Sequence, residues 1–343
     1  MKEKNSIVAA LCLLLLTILS SCSTSKSDGG ANAQIQEKTD FALNTVVTIK
    51  LYEADPFSEE AWKDTFDILR DVEAKMSSHK EGTEIMRINE KAGLAPVKVS
   101  DDTFEVVKAA KEIAAETKGA FDPSIGSVSR LWQIGSDAQR VPSREEIEEA
   151  LQKVNYENIV LDESEKTVFL KEEGMALDLG GIAKGYSADK VYAHLSERGV
   201  KKAILDFGGN ISLIGAKNDS DGWRVGIRKP DREHFVVYAS LLAKNESVVS
   251  SGDYERHFEE AGKTYHHILD PFTGYPTENG IRGASVILPS SMRADAYATA
   301  LIVMGKEDAV RFIRDRELEA ILIYDNFESY QSLEEARSYR KEN

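Results

Sequence analysis

Cysteine is nearly absent: the 343 residues include two, Cys12 and Cys22. No His/Cys spacing suggests zinc or haem, and two cysteines cannot build a disulfide framework. Long apolar runs are missing too. The longest, Ile7 to Leu19, falls short of the roughly 20 residues a comfortable membrane span needs. Positive charge is in deficit, with 43 Lys+Arg against 58 Asp+Glu and a net charge of −15. Such a surface repels polyanions, which argues against a nucleic-acid partner and against binding to anionic lipid headgroups. There is no Gly-x-Ser-x-Gly elbow, so a serine hydrolase has no support. No internal repeat is evident.

What is present begins at the N-terminus. Lys2 and Lys4 precede the apolar run, and Leu19-Ser20-Ser21-Cys22 closes it with small residues. A basic start, an apolar stretch and a small-residue site are the parts of a secretory signal. Leu-Ser-Ser-Cys also resembles the lipobox of bacterial lipoproteins, in which the cysteine is acylated. Residues 1–21 are therefore expected to be removed, leaving lipidated Cys22 as the sole cysteine. The exported domain then holds together by core packing alone. With an acidic surface, membrane attachment falls to the lipid, and a multiply acylated cysteine anchors stably. Residues 22–38 are rich in Ser, Gly, Asn and Ala and are expected to form a flexible tether. The domain is expected over 39–330, with a charged, frayed tail at 331–343.

Within that domain, Phe41 to Leu51 alternates like a single half-buried strand. Ser58 to Met76 carries Trp62, Phe66, Leu69, Val72 and Met76 at helical spacing. Asp102 is expected to cap a second helix, and Ser143 with Glu146 forms a capping box for a third. Short apolar runs follow at Ile159–Leu161, Val168–Leu170, Ala203–Phe207, Ile211–Ile214, Val225–Ile227, Val236–Leu242 and Val286–Leu288. One helix between Gly181 and Arg198 interrupts them. Helices are expected at Ala294–Met304 and Asp308–Arg314, and a last buried strand at Ala320–Tyr324. Successive strands without a βαβ rhythm predict an α+β fold with antiparallel pairing.

Four stretches carry more Gly, Asp and His than core or surface requires, and a fifth, on a helix, completes the set. Lys118-Gly119-Ala120-Phe121-Asp122-Pro123-Ser124 ends a helix in a tight turn, or serves as a plain helix-to-strand corner. Leu177 to Tyr186, reading LDLGGIAKGY, sends a strand-end Asp through two glycines into a helix. Backbone N–H groups at such a start can cradle a phosphate, with Lys184 adding charge. The stretch lacks both the Gly-x-Gly-x-x-Gly spacing and the Walker ending, and close strand–helix packing would explain its glycines equally. In Leu205-Asp206-Phe207-Gly208-Gly209-Asn210 two glycines admit a ligand or form a bulge. His266-His267-Ile268-Leu269-Asp270-Pro271-Phe272-Thr273-Gly274-Tyr275-Pro276 sets a titratable imidazole at a loop, where it can act as a general base. In Arg293-Ala294-Asp295-Ala296-Tyr297-Ala298-Thr299, Asp295 and Thr299 share a helical face. A carboxylate and a hydroxyl there suit Mg²⁺, or else the Thr simply bonds back to a carbonyl.

Taken in order, these stretches, with Met76-Ser77-Ser78 and Glu84-Ile85-Met86-Arg87-Ile88-Asn89, resemble the ApbE family of FAD:protein FMN transferases. The resemblance runs from about Phe41 to Tyr324. It implies a single large T-fold-related α+β domain with mainly antiparallel sheets and flanking helices. It also implies Mg²⁺-dependent transfer of FMN from FAD to a threonine hydroxyl of a partner protein, with AMP released. Asp295 and Thr299 match the family's side-chain metal ligands, and Gly181 its backbone carbonyl ligand. His267 matches its motif histidine and takes the role of base. Leu43, His79, Ala120, Phe121, Asp122, Asp178, Lys184 and Ile268 fall at FAD positions, with Phe121 packing on rings and the Asp side chains accepting bonds from the ligand. Many members have Met and Tyr where this chain has Leu43 and His79, and Thr in place of Ser124.

The implied acceptor is a membrane redox subunit with an Asp/Ser-Gly-x-Thr/Ser motif, met on the extracytoplasmic or periplasmic face of a membrane. No such segment with a threonine occurs in this chain. Two alternatives stay open at this level. One is a Mg²⁺-dependent FAD pyrophosphatase yielding FMN and AMP, and the other a lipoprotein that binds FAD without chemistry.

Overall fold

The first element differs from the single strand expected between Phe41 and Leu51. In the computed structural model, which describes residues 34–53, 55–217, 222–335 and 337–342, this stretch is a hairpin. Strand β1 (Gln34–Ala42) pairs antiparallel with β2 (Thr45–Glu53), Ala42 opposite Thr45. Leu43 and Asn44 alone form the turn, both at positive φ, 54° and 58°. That is the pattern of a two-residue type I′ turn, whose twist matches the strands it joins. Leucine is an unusual choice there, which is why alternation alone reads straight through it. Phe41 ends up 66% exposed, while Val47, Ile49 and Leu51 are fully buried. The signal and Cys22 lie outside the described residues.

Helix α1 (Glu59–Met76) follows, capped by Ser58, and α2 (Glu84–Glu90), capped by Thr83. Helix α3 (Asp101–Glu116) is capped by Ser100 rather than by the expected Asp102. The Asp102 carboxylate instead accepts from Lys75, Tyr186 and Lys190. Helix α4 (Gly126–Trp132) and α5 (Arg144–Leu151) come next, and the Ser143/Glu146 capping box is formed. A small sheet in the order β3 (Val97–Lys98), β5 (Thr167–Leu170), β4 (Ile159–Asp162) closes this helical part.

The remaining chain builds the scaffold of the cleft. Strands β6 (Ala203–Phe207), β7 (Asn210–Ile214), β10 (Ser247–Gly252), β13 (Ile281–Leu288), β14 (Glu319–Tyr324) and β15 (Ser329–Ser332) join the hairpin in one sheet, ordered β1-β2-β6-β7-β10-β13-β14-β15. Every neighbouring pair in it is antiparallel. A second sheet, β16 (Tyr339–Lys341), β9 (Val237–Ala243), β8 (Trp223–Arg228), packs Trp223, Val225, Ile227 and Leu241 onto Leu213, Val248, Ile287 and Ile321 of the large one. The opposite face is covered by α6 (Ala183–Glu197) and α7 (Ser291–Met304), with α8 (Lys306–Asp315) beyond. Burial of Val47, Ile49, Leu205 and Phe207 against Ala188, Val191 and Leu195 unites α6 with the hairpin. A short hairpin, β11 (His257–Glu260) and β12 (Lys263–His266), stands apart from both sheets. The fold is α+β, as its strand-rich, non-alternating sequence predicts.

The folded unit is longer at both ends than 39–330. Pairing begins at Gln34, inside the expected tether, and β16 pairs with β9 inside the expected tail. Charge in the tail does not mean fraying here, because it is paired. The Arg337 side chain, 10% exposed, forms ion pairs with Glu246 at 2.7 Å and with Glu319. Its removal would leave two half-buried carboxylates facing each other. Arg337→Ala is therefore expected to lower unfolding free energy by roughly 3 kcal/mol in chemical denaturation. A loss under about 1 kcal/mol, the level of a surface pair, would mean the tail does not brace the fold.

Candidate active site

All twelve residues singled out in the folded part line one cleft of about 930 Å³. It opens where the ends of β6 and β10, the start of α6 and the middle of α7 meet. Glycine makes that meeting possible. A Cβ on Gly185 would lie 2.3 Å from the Ser291 carbonyl oxygen, so only glycine lets α6 and α7 cross this closely. Asp189 on α6 locks the crossing by accepting the Ser291 and Met292 N–H groups at 2.7 and 3.0 Å.

The crossing brings Lys184 and Asp295 together. Asp295 is 1% exposed. Its carboxylate accepts the Gly185 N–H at 3.0 Å and the Lys184 ammonium at 3.2 and 3.4 Å. One turn on, the Thr299 hydroxyl donates to the Asp295 carbonyl at 3.2 Å. The back-bond anticipated as the plain alternative is thus present. It leaves the hydroxyl oxygen's lone pairs available, since a donor uses its hydrogen. A Cβ on Gly181 would come 3.5 Å from Thr299 Oγ1 and 3.2 Å from Phe121 Cε2. The empty side-chain position of Gly181 therefore keeps a space between its backbone and Thr299. Asp295, Thr299 and the Gly181 carbonyl offer oxygen donors only, the set that suits a hard divalent cation. Helix α6 starts without a side-chain cap, but the Ala183, Gly185 and Tyr186 N–H groups are already bonded to the Leu179 carbonyl, Asp295 and the Ile182 carbonyl. The Lys184 N–H and ammonium are therefore the donors of this turn that can receive phosphate oxygens.

The two adjacent histidines divide their roles. His266 is buried and satisfied, accepting the Ile268 N–H on Nδ1 at 3.3 Å and donating from Nε2 to the Thr277 carbonyl at 2.9 Å. His267 is half-buried and lines the cleft. Its Nδ1 lies 3.3 Å from the Arg256 carbonyl oxygen. A carbonyl only accepts, so Nδ1 carries the hydrogen and Nε2 keeps its lone pair. Burial first, then the nearby Arg256, His266 and Lys184 charges, holds the imidazole well below its ordinary range. It is therefore a neutral base at physiological pH.

Other expectations need adjustment. Asp122 is buried and committed to its own turn and to the Tyr156 backbone. It accepts from Ser124 N at 2.8 Å, Ser124 Oγ at 2.6 Å and Tyr156 N at 3.1 Å, which leaves little capacity for a ligand. Its contribution is to shape the corner that presents Ala120 and Phe121. Phe121 itself is buried in the main core, where its ring packs over Gly181. Asp178 accepts Ser129 Oγ and Gly180 N–H at 2.8 and 2.9 Å and retains free lone pairs. Leu43 sits at the hairpin tip, and His79 is exposed just past α1.

Sequence reading passed over Tyr254, Glu255 and Arg256, and also Arg224 and Arg228, all of which line the cleft. Charged residues beside Gly252 are a signal, but the preceding strand β10 has only Val248 and Val249 as an apolar run and does not stand out in the sequence. The Arg256 carbonyl that orients His267 has no side-chain signature at all.

An antiparallel α+β scaffold whose cleft gathers a lysine at a helix start, a buried carboxylate against it and a neutral imidazole defines a nucleotide-handling enzyme. The ApbE family model matches residues 43–322, and the chain belongs to that family. It is 35% identical over 285 residues to an FAD:protein FMN transferase of Klebsiella pneumoniae, covering 83% of this chain and 87% of that one. Similarity to the FAD:protein FMN transferase of Treponema pallidum is 33% over 309 residues, covering 86% and 85%. The crystal structure of the ApbE protein of Thermotoga maritima superposes with a TM-score of 0.80 at 33% identity, over 87% of this chain and 97% of that one.

Proposed function

We propose that this protein transfers FMN from FAD to a threonine hydroxyl of a partner protein and releases AMP. The observation that carries the reading is the convergence of Lys184, Asp295, Thr299, Gly181 and the base His267 in one cleft of dinucleotide size. The hydroxyl oxygen forms a bond to the FMN-side phosphorus, and the bond from that phosphorus to the bridging oxygen breaks. The bridging electron pair leaves with AMP, and the hydroxyl proton passes to His267 Nε2. The Lys184 ammonium and its backbone N–H bind the pyrophosphate oxygens and hold the reacting phosphorus in line. Asp295, Thr299 and the Gly181 carbonyl would hold Mg²⁺, which when bound neutralises charge on the phosphate oxygens. Leu43, His79, Asp178 and Ile268 border the space left for the flavin.

Incubation of the protein with FAD, Mg²⁺ and an acceptor protein tests this by mass spectrometry. A gain of one FMN on an acceptor threonine supports it. FMN and AMP without modified acceptor would replace it with hydrolysis, and intact FAD would replace it with binding alone. Gly181→Ala is expected to raise the Mg²⁺ concentration for half-maximal rate about tenfold, because its methyl intrudes beside Thr299 and Phe121. An unchanged Mg²⁺ titration would remove Gly181 from the cation site.

Acylation of Cys22 would hold this cleft at the extracytoplasmic face, where membrane redox subunits are met. The support is the Leu19–Cys22 motif. Labelling with an alkynyl fatty acid checks it: Cys22→Ser must abolish incorporation, and continued labelling would defeat the assignment.

A further inference from the structure

The flavin and cation residues account for only part of the cleft lining. The rest includes Val46, Thr48, Ile204 and Ile211 from the large sheet and Arg224, Gly226 and Arg228 from β8. Strand β8 is the last in its sheet, and the direction of its backbone groups follows from its neighbours. The Leu242 N–H donates to the Ser338 carbonyl, and the Tyr238 carbonyl accepts the Glu342 N–H, both at 2.9 Å. Even-numbered residues of β9 thus face β16, and odd-numbered ones face β8. Through the register Val225 to Leu241 and Ile227 to Ala239, the odd residues of β8 exchange bonds with β9. Arg224 and Gly226 must then turn their N–H and C=O groups to the open edge. Among the described residues nothing takes those bonds.

An open edge beside a catalytic cleft is a template for another strand. Ile204 and Ile211 are half-buried and Val46 is 55% exposed, so the floor beside that edge is apolar. Charge selects the occupant. Arg224 is exposed, and among the described residues its guanidinium bonds only the Ser240 hydroxyl, at 3.3 Å. Arg228 lies over the Tyr254 ring at 4.7 Å and the Phe235 ring at 5.4 Å and donates from Nη2 to the Asp231 carbonyl at 3.1 Å, and its Nε is buried without a partner among the described residues. Neither guanidinium has an ion-pair partner among the described residues, in a chain of net charge −15.

We propose that the acceptor docks as an extended, acidic segment added to the free edge of β8. Its main chain bonds Arg224 and Gly226, and its carboxylates meet Arg224 and Arg228, which directs its hydroxyl into the cleft of His267. This rests on the transfer reading above and names how the partner is held.

The probe is a synthetic peptide of about twelve residues with Asp-Gly-Ala-Thr at its centre and acidic flanks. Gly226→Pro deletes one outward N–H at an edge position where proline is tolerated. Gly226→Ala keeps that N–H, and its methyl would lie an ordinary 3.4 Å from Val237. The proline variant is expected to show an acceptor KM at least tenfold above the alanine variant. Equal acceptor KM values would overturn the docking edge while leaving transfer standing. A matching rise in the KM for FAD would overturn it too, by assigning the edge to the dinucleotide. N-methylation along the peptide, assayed with the unaltered protein, covers a proline variant that fails to fold. Alternate residues should be sensitive and their neighbours tolerant, whereas sensitivity without a two-residue period would refute strand addition. If the unaltered protein cleaves FAD and modifies neither this peptide nor any acceptor protein, the transfer reading falls and the docking edge with it.

Discussion

Asp295→Ala is expected to reduce Mg²⁺-dependent FMN transfer about 10²–10³-fold, the loss of some 3–4 kcal/mol of charge stabilisation at the reacting phosphates. The carboxylate is 1% exposed and is the centre of the α6–α7 junction, accepting from both Lys184 and the Gly185 N–H. Its truncation leaves an ammonium and a buried amide without an acceptor, which also destabilises the fold by roughly 1–3 kcal/mol. Asp295→Asn separates the two effects. The amide keeps the shape and one acceptor for Gly185, so thermal stability should fall less, while the charge needed by a cation is gone. Both variants should lose the Mg²⁺ dependence of the rate. Turnover equal to that of the unaltered protein, at any Mg²⁺ concentration, would rule out Asp295 as a ligand.

His267→Ala is expected to slow transfer by about 10²–10⁴-fold, the range for loss of a positioned general base, with FAD affinity changed much less. The pH profile distinguishes a base from a structural role. Burial together with the Arg256, His266 and Lys184 charges depresses the imidazole's pKa, so the base form persists below the ordinary value of 6.5. Transfer by the unaltered protein should therefore hold its rate as pH falls through 6.5. It should decline only further into acid, where Nε2 takes a proton before it can accept one from the hydroxyl. The alanine variant should lack that acid limb. An acid limb of the same midpoint in the variant would assign the titration to another group. His266 gives the matching control in reverse. Both of its ring nitrogens are occupied by backbone partners, so its replacement should lower stability rather than alter the pH profile.

Much of this could be read from the chain alone. The period of α1, the Ser143 capping box and the strand-rich second half follow from local patterns, and local patterns survive into the fold. Failures came where a tertiary requirement overrode a local signal. Leu43 and Asn44 continue an alternating pattern, yet adopt positive φ because the hairpin must close there. Asp102 precedes a helical run like a cap, yet its carboxylate goes to Lys75, Tyr186 and Lys190 from other segments. The 331–343 segment looks like charged solvent-facing chain, but Arg337 finds carboxylates about 20 and 90 residues away. Asp122 carries a ligand-like carboxylate, and Ser124 of its own turn and the distant Tyr156 N–H use it.

By itself, then, the sequence determined the α+β class, the family and the short list of residues that line the cleft. It did so because residue types with chemical purpose stand in short runs that need no knowledge of their neighbours in space. The tertiary structure alone decided which histidine is free, because that depends on the Thr277 and Arg256 carbonyls. It also decided that Lys184 meets Asp295, through a helix crossing only Gly185 permits. Last, it set β8 at the end of its sheet. An edge is defined by the absence of a neighbour in space, which no residue along the chain encodes.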